Sequence, residues 1–358
     1  MRIGIVVKEF PPDSIGGLQT QTKRMAAALA ETEDEVVVFT KRYGHHDDEE
    51  LPFEVVRIPQ LGVSPFVSDL TFIAFSFFAL IWYSRKLDLL QCMTVYPIGF
   101  LGLMVNRVTK IPYFAWVRGN DFYEMRHVNW KRWMIRRVFG DTRILVQSQE
   151  IEDDIRSYFS DTHIDVGIVG NAVDIPEEAT SPDGSTLLFI GRLAPKKGLQ
   201  YLIDAVDMIG SDVDLVIVGD GDRREDLIHQ AKEREVDVTF VGEVPPEEVE
   251  AYYRRATIFV LPSTVGEGMP NVVLEAMAYG LPVVATPSGG VASVIEDERT
   301  GFIVPMRDPQ ALADRLEHLL DHPDVHRQIG ENAREYVISQ HSWHSLTSEL
   351  RSEYENLT

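Results

Sequence analysis

Four side chains stand at spacings that could act on a charged, hydroxyl-rich ligand. Glu267 and Glu275 stand with seven residues between them within LPSTVGEGMPNVVLEAMAYGLPVVATPSGG (Leu261 to Gly290). Glu267 falls between Gly266 and Gly268, which let backbone N–H groups come close to a ligand. The helix start beyond it offers unpaired N–H groups and a positive dipole end, suited to an anion. Arg192 and Lys197 flank a second loop, in GRLAPKKGLQYLIDA, that runs into a helix at Gly198. Two cations beside a helix N-terminus suit a diphosphate. Carboxylates next to a phosphate site address hydroxyls, because like charges repel. Phosphate with hydroxyls describes a sugar nucleotide. Spacing alone leaves open a solvated loop glutamate, a helix glutamate pairing locally and two cations near an ordinary turn.

The elements that must position these residues read as βαβ units. Ile258 to Leu261 is an apolar run fitting a buried strand, and 262–268 is loop chemistry. Pro270 and Asn271 open a helix to about Tyr279, where proline's missing N–H is harmless. Gly280 stops it, and Pro282 to Ala285 is a further strand. Such a loop lies at the carboxyl end of a parallel strand, where open α/β sheets bind ligands. Strands are also expected at Leu187–Ile190, Asp214–Gly219 and Val238–Val241, and two helices between Pro309 and about Gln340. In the first half, strands are expected at Arg2–Val7, Glu35–Thr40, Leu89–Val95, Tyr113–Val117 and Ile144–Ser148. Gly16 and Gly17 precede a helix from Leu18 to Ala30, a weak phosphate signal by itself. No GxGxxG follows the first strand, which disfavours a dinucleotide oxidoreductase.

The stretch SxxxEGMPNVxLEAMAxGLPVVATxxGG resembles the signature of retaining nucleotide-sugar glycosyltransferases of glycosyltransferase family 4. The resemblance implies an α/β chain of the GT-B fold: two Rossmann-like doubly wound domains facing a cleft, with a C-terminal helix crossing back to the first domain. It implies an acceptor-side domain of 1–175 plus about 342–358, and a donor domain of 176–341. PEEATSPDGS (176–185) would be the hinge. Glu267 would face the transferred sugar, and Glu275 would hold the ribose hydroxyls. Gly268, Met269, Pro270 and Asn271 would line sugar and phosphates. GRL-x3-KG, about 75 residues upstream of Glu267, matches the family's arrangement, so Arg192 and Lys197 would neutralise the departing diphosphate. Gly16 and Gly17 match the first loop, and the turn Gly242 to Val244 matches the nucleobase contact. The family's His-Gly-x-Asp pattern ends the Tyr113–Val117 strand, but here it reads Arg118-Gly119-Asn120-Asp121. Arginine cannot serve as a base, yet it can stabilise negative charge. Asp121 keeps its place in the pattern.

The activity so implied is a retaining hexosyltransferase using a nucleoside-diphosphate sugar as substrate, with no metal or other cofactor, acting on a lipid-linked or glycan acceptor. A nucleotide-sugar epimerase of the same fold, needing no acceptor, is the alternative.

The chain has 358 residues, enough for two domains, and 44% hydrophobic residues. Its net charge of −22 argues against nucleic acid as a partner. Acid excess with only 9 lysines against 25 arginines resembles proteins of salt-accumulating halophilic archaea. The charge is uneven, with net −3 over residues 1–170 and −19 beyond. Arg126 to Arg137 (RHVNWKRWMIRR) gathers five basic residues with Trp130 and Trp133. That pattern fits either an anionic membrane surface or a solvated helix. Leu70 to Tyr83 is fourteen uncharged residues, short of a bilayer span, and reads first as a buried core helix and second as a helix that also touches the membrane surface. One cysteine, Cys92, reads as a buried structural thiol and fits a reducing compartment. No signal peptide is read at the N-terminus. The expected location is cytoplasmic, with peripheral contact on the inner face of the membrane. HHDDEE (45–50) reads as a solvated loop. Asp212-Val213-Asp214 lies at the start of a strand, the wrong end for a metal site.

Overall fold

Buried β-branched and aliphatic runs alternate with helices along the whole chain. This is the pattern of parallel sheets covered on both faces. The computed structural model describes residues 1–12, 16–43, 50–62, 64–180, 184–210, 212–265 and 268–357. It divides into two compact units, 1–171 with 343–358, and 172–342.

Unit 1 runs β1 (Arg2–Val6), α1 (Gly17–Ala30), β2 (Glu35–Lys41), β3 (Glu54–Ile58), α2 (Pro65–Tyr83), β4 (Leu89–Cys92), α3 (Phe100–Thr109), β5 (Tyr113–Val117), α4 (Asn120–Tyr123), α5 (Asn129–Phe139), β6 (Ile144–Val146), α6 (Gln149–Tyr158) and β7 (Val166–Ile168). Its sheet is parallel, in the order β3-β2-β1-β4-β5-β6-β7. The order reverses at β1 and β4, so the loops after these two strands diverge and leave a crevice.

Unit 2 runs β8 (Thr186–Ile190), α7 (Leu199–Met208), β9 (Asp214–Val218), α8 (Arg224–Glu233), β10 (Val238–Gly242), α9 (Glu250–Tyr253), β11 (Ile258–Leu261), α10 (Asn271–Ala278), β12 (Val283–Ala285), β13 (Phe302–Ile303), α11 (Pro309–Asp321) and α12 (Pro323–Gln340). The sheet order is β10-β9-β8-β11-β12-β13, and its reversal falls at β8 and β11. The loops after these strands are GRL-x3-KG and the segment leading to Pro270.

The last helix, α13 (Trp343–Glu355), belongs to unit 1. Tyr354 is fully buried there, stacked on Phe114 at 5.4 Å, and its hydroxyl donates to Gln91 on β4. Arg143 pairs with Glu353, and Arg351 pairs with the buried Asp34. Apolar burial and charge thus hold α13 to this sheet together.

Several expectations need correction. The strand expected over 89–95 ends at Cys92, because the Asp121 carboxylate takes the Val95 N–H and draws the backbone out of the sheet. The helix expected over 126–137 starts only at Asn129 and runs to Phe139. Arg126 is instead folded in, its guanidinium about 5 Å from the rings of Phe122, Tyr123 and Tyr158. The segment 176–180 is held by unit 2 and is no free linker: Arg334 donates to the Pro176 carbonyl at 2.6 Å, and Thr180 N–H to that of Tyr279 at 2.8 Å. The unit boundary falls earlier, after Asn171. The apolar stretch from Leu70 is no core helix either. It belongs to α2, and only 17% of residues 66–83 are buried. Cys92 is fully buried as expected, and burial pushes its thiol up to about 12.

Candidate active site

In unit 2 the two motif loops are bound to one another. Gly198 closes the loop after β8 with φ +68 and starts α7. A β-carbon there would lie 2.0 Å from the Pro262 carbonyl oxygen, so only glycine allows this approach. Beside it, the Thr264 N–H donates to the Lys196 carbonyl at 2.7 Å. The loop carrying Arg192 and Lys197 is therefore seated on the loop that leads to Gly268. From the far side, Gly290 packs against Gly268, where a β-carbon would stand 3.0 Å from its carbonyl oxygen. Gly219 and Gly221, after β9, press in the same way on Gly191 and Leu193.

Arg192 is exposed, and among the described residues its ion-pair partner is Asp222 at 3.6 Å. An ion pair so open to water holds the guanidinium weakly, leaving it free to take an anion. It shares a pocket of about 500 Å³ with Val244, Glu243, Asp220 and Gly221, at the carboxyl ends of β8, β9 and β10. Lys197 is half-buried, one residue before Gly198. Met269 and Pro270 are buried, and Asn271 is the first residue of α10. Glu275 follows one turn later and accepts a hydrogen bond from the Tyr253 hydroxyl at 2.8 Å. Tyr253 is itself buried and stacked on Tyr279 at 5.1 Å. Burial, then the Glu275 carboxylate, push the Tyr253 hydroxyl well up, so it remains a donor to Glu275. Glu267, with Gly266, lies outside the described residues.

Unit 1 brings a second set together. The Asp121 carboxylate accepts from Val95 N–H at 2.7 Å and from Arg118 N–H at 2.9 Å, tying the loop after β4 to the loop after β5. Burial pushes its carboxyl up to about 6, even though these hydrogen bonds and Arg118 pull it down. With both oxygens engaged by backbone, Asp121 is a positioning residue. The Arg118 guanidinium lies 4.5 Å over the buried Trp116 ring. Burial lowers its pKa to about 10, so it stays cationic at neutral pH. Asp121 also lines a largely apolar pocket of about 770 Å³ with Lys8, Gln19, Tyr96, Leu70 and Trp130. Gly16 caps α1 and Gly17 begins it, with no heavy atom within 4 Å of a β-carbon at Gly17.

Sequence reasoning missed Tyr253, which sits in no motif and is linked to Glu275 only by the fold. It also missed Asp220 and Gly221 as pocket residues, although GDGD after a strand was a usable signal.

Two family models match along the chain: glycosyltransferase family 4 over residues 15–176, and glycosyl transferases group 1 over residues 172–336. The chain is a GT-B glycosyltransferase. An uncharacterized glycosyltransferase of Methanocaldococcus jannaschii is 26% identical to it, over 99% of this chain and 98% of the relative. A GDP-mannose-dependent alpha-(1-6)-phosphatidylinositol monomannoside mannosyltransferase of Mycobacterium tuberculosis is 36% identical over 176 residues, 46% of each chain. Among solved structures, sucrose-phosphate synthase of Thermosynechococcus elongatus superposes with a TM-score of 0.83 at 22% identity, covering 99% of this glycosyltransferase and 98% of that chain. Anabaena HepE in complex with UDP superposes with a TM-score of 0.81 at 18% identity, over 100% of both chains. At such identity these structures speak for the fold alone.

Proposed function

We propose that this glycosyltransferase moves a hexose-type sugar from a nucleoside diphosphate to a lipid-linked or glycan acceptor with retention of anomeric configuration and without a metal. The donor binds unit 2 and the acceptor unit 1. The observation that carries the reading is the seating of the Arg192–Gly198 loop on the Pro262–Thr264 segment, at the switch point of the unit 2 sheet. It ties the cationic loop to the segment that leads into α10, and that charge together with the helix dipole would stabilise a diphosphate. Further along α10, Glu275, oriented by Tyr253, accepts from ribose hydroxyls, and Glu267 faces the sugar.

In the step itself the acceptor hydroxyl oxygen bonds to the anomeric carbon on the face the phosphate leaves. The carbon–oxygen bond to phosphate breaks, and the hydroxyl proton passes to the departing phosphate. Arg192 and Lys197 stabilise the charge growing on that phosphate. Arg118, cationic at the carboxyl end of β5, takes negative charge on the acceptor side. The GDP-mannose-dependent mannosyltransferase relative supports a nucleotide-sugar donor. The acidic, lysine-poor composition supports a high-salt cytoplasm as the working medium.

The test is donor consumption across UDP-, GDP- and ADP-linked sugars at molar salt, with and without extracted polar lipid. Transfer with a retained anomeric signal by NMR supports the reading. An interconverted sugar with no acceptor present would mean the epimerase instead. Full turnover in both Arg192→Ala and Lys197→Ala would remove the roles given to those cations.

A further inference from the structure

The helix α2 presents apolar side chains to solvent along its length. Phe66, Leu70, Phe78 and Trp82, spaced at multiples of four, are 70%, 59%, 68% and 65% exposed. Its opposite face, Phe72, Ser76 and Leu80, is fully buried in unit 1. A surface helix ordinarily turns charge to water, but α2 has none after Asp69. Asp69 binds Lys8 and the buried Lys41, and these bonds hold its carboxyl below the usual range against the pull of burial. Residues 66–83 are long and apolar enough to cross a bilayer, against the shorter stretch expected from Leu70, but the buried face and this anchor tie α2 to unit 1 along its length.

Two further exposed tryptophans, Trp130 and Trp133, stand on α5. Each of the three tryptophans carries a cation: Lys86 lies 5.1 Å from the Trp82 ring, Lys131 5.6 Å from Trp130, and Arg137 5.3 Å from Trp133. Indole with a neighbouring cation is the pairing found where an apolar medium meets anionic headgroups. A groove of about 1000 Å³ runs along the same face, with Phe77 of α2, Val108 of α3 and Trp133 of α5 as its apolar wall and Arg107, Arg136 and Arg137 at its rim. Arg136 pairs with the exposed Asp161 at 2.7 Å, a partner that a phosphate can replace, whereas Arg107 is held by Asp141, which is mostly buried and also takes the Tyr113 hydroxyl.

We infer that the α2–α3–α5 face seats unit 1 on an anionic bilayer, with α2 lying in the interface and the arginine-rimmed groove taking a phospholipid headgroup. Charge selects this occupant. Two copies meeting through the face would bring Lys86, Lys131, Arg136 and Arg137 against themselves, whereas an anionic surface neutralises them. The docking stands apart from the transfer reading. One consequence rests on that reading: Leu70 and Trp130 also line the 770 Å³ pocket beside Asp121, so a lipid-linked acceptor reaches it from the same face.

The experiment is flotation of the full chain with vesicles of phosphatidylglycerol and phosphatidylcholine, or of phosphatidylcholine alone, at ~0.1 M and at molar salt. Circular dichroism verifies the fold at each salt. Wild type is expected to float with the anionic vesicles and to shift its tryptophan emission to the blue. Phe78→Ser with Trp82→Ser removes only exposed groups and is expected to lower the bound fraction about tenfold or more. Arg136→Gln with Arg137→Gln is expected to lose the preference for anionic lipid. Folded wild type that floats with neither vesicle overturns the inference, as does a Phe78→Ser, Trp82→Ser protein that floats like wild type. A dimer that the serine variant dissociates, with no flotation, assigns the face to a second copy and also overturns it. Donor turnover in the same samples separates the two readings: flotation without turnover defeats the transfer reading and leaves the docking intact.

Discussion

Gly198→Ala is the sharpest single test of how the donor-side loops are assembled. The new methyl would stand 2.0 Å from the Pro262 oxygen and 3.1 Å from the Thr264 methyl, on a backbone at φ +68. The left-handed conformation costs about 1–2 kcal/mol with a β-carbon. Relieving the contact moves one loop by roughly 1 Å, an overpacking cost of about 1–3 kcal/mol. That shift also strains the Thr264 N–H to Lys196 hydrogen bond, worth about 0.5–1.5 kcal/mol. The total is about 3–6 kcal/mol. At roughly 2–4 °C per kcal/mol for a unit of this size, the unit 2 transition should fall by about 10–20 °C. A 1 Å misplacement of Lys197 should also cost about a hundredfold in turnover. Scanning calorimetry and donor hydrolysis read the two effects. Gly184→Ala is the control, because its methyl meets open space and the residue lies in neither motif loop. A Gly198→Ala protein with unchanged melting and full turnover would refute the claim that these loops are locked together.

Three further outcomes follow from the geometry. Tyr354→Ala should cost about 3–5 kcal/mol and lower only the unit 1 transition in calorimetry, because its ring stacks on Phe114 and its hydroxyl serves Gln91; a shift of the unit 2 transition instead would contradict that placement of α13. Asp121 should make stability fall as pH rises from about 3.8 to about 6, since the folded state holds a proton there that the unfolded chain has released. Asp121→Asn should flatten that part of a melting-temperature profile, and an unchanged slope would show that the carboxyl is not held up by burial. Glu275→Gln should weaken donor binding in calorimetric titration by about tenfold or more while melting stays within a few degrees. Tyr253→Phe, which frees the Glu275 carboxylate from its 2.8 Å partner, should do the same more weakly.

The sequence by itself determined the local elements and the order of the motifs. Buried aliphatic runs such as Ile258 to Leu261 are too short and too β-branched for helices. Pro270 and Asn271 mark the start of α10 through backbone chemistry that any tertiary context must respect. The edge strands β3 and β7 went unread, because Glu54–Ile58 is only half-buried and Val166–Ile168 is three residues long. Tertiary structure alone decided which loops touch. Lys196 and Thr264 are 68 residues apart, and they meet because the sheet places β8 beside β11. It also decided that Tyr253 serves Glu275 and that the returning α13 sets Tyr354 against Phe114 and Gln91. For α2 the sequence could not choose a face. A helix apolar all round has no period to read, so only the packing of Phe72 and Leu80 against unit 1 left Phe78 and Trp82 facing outward.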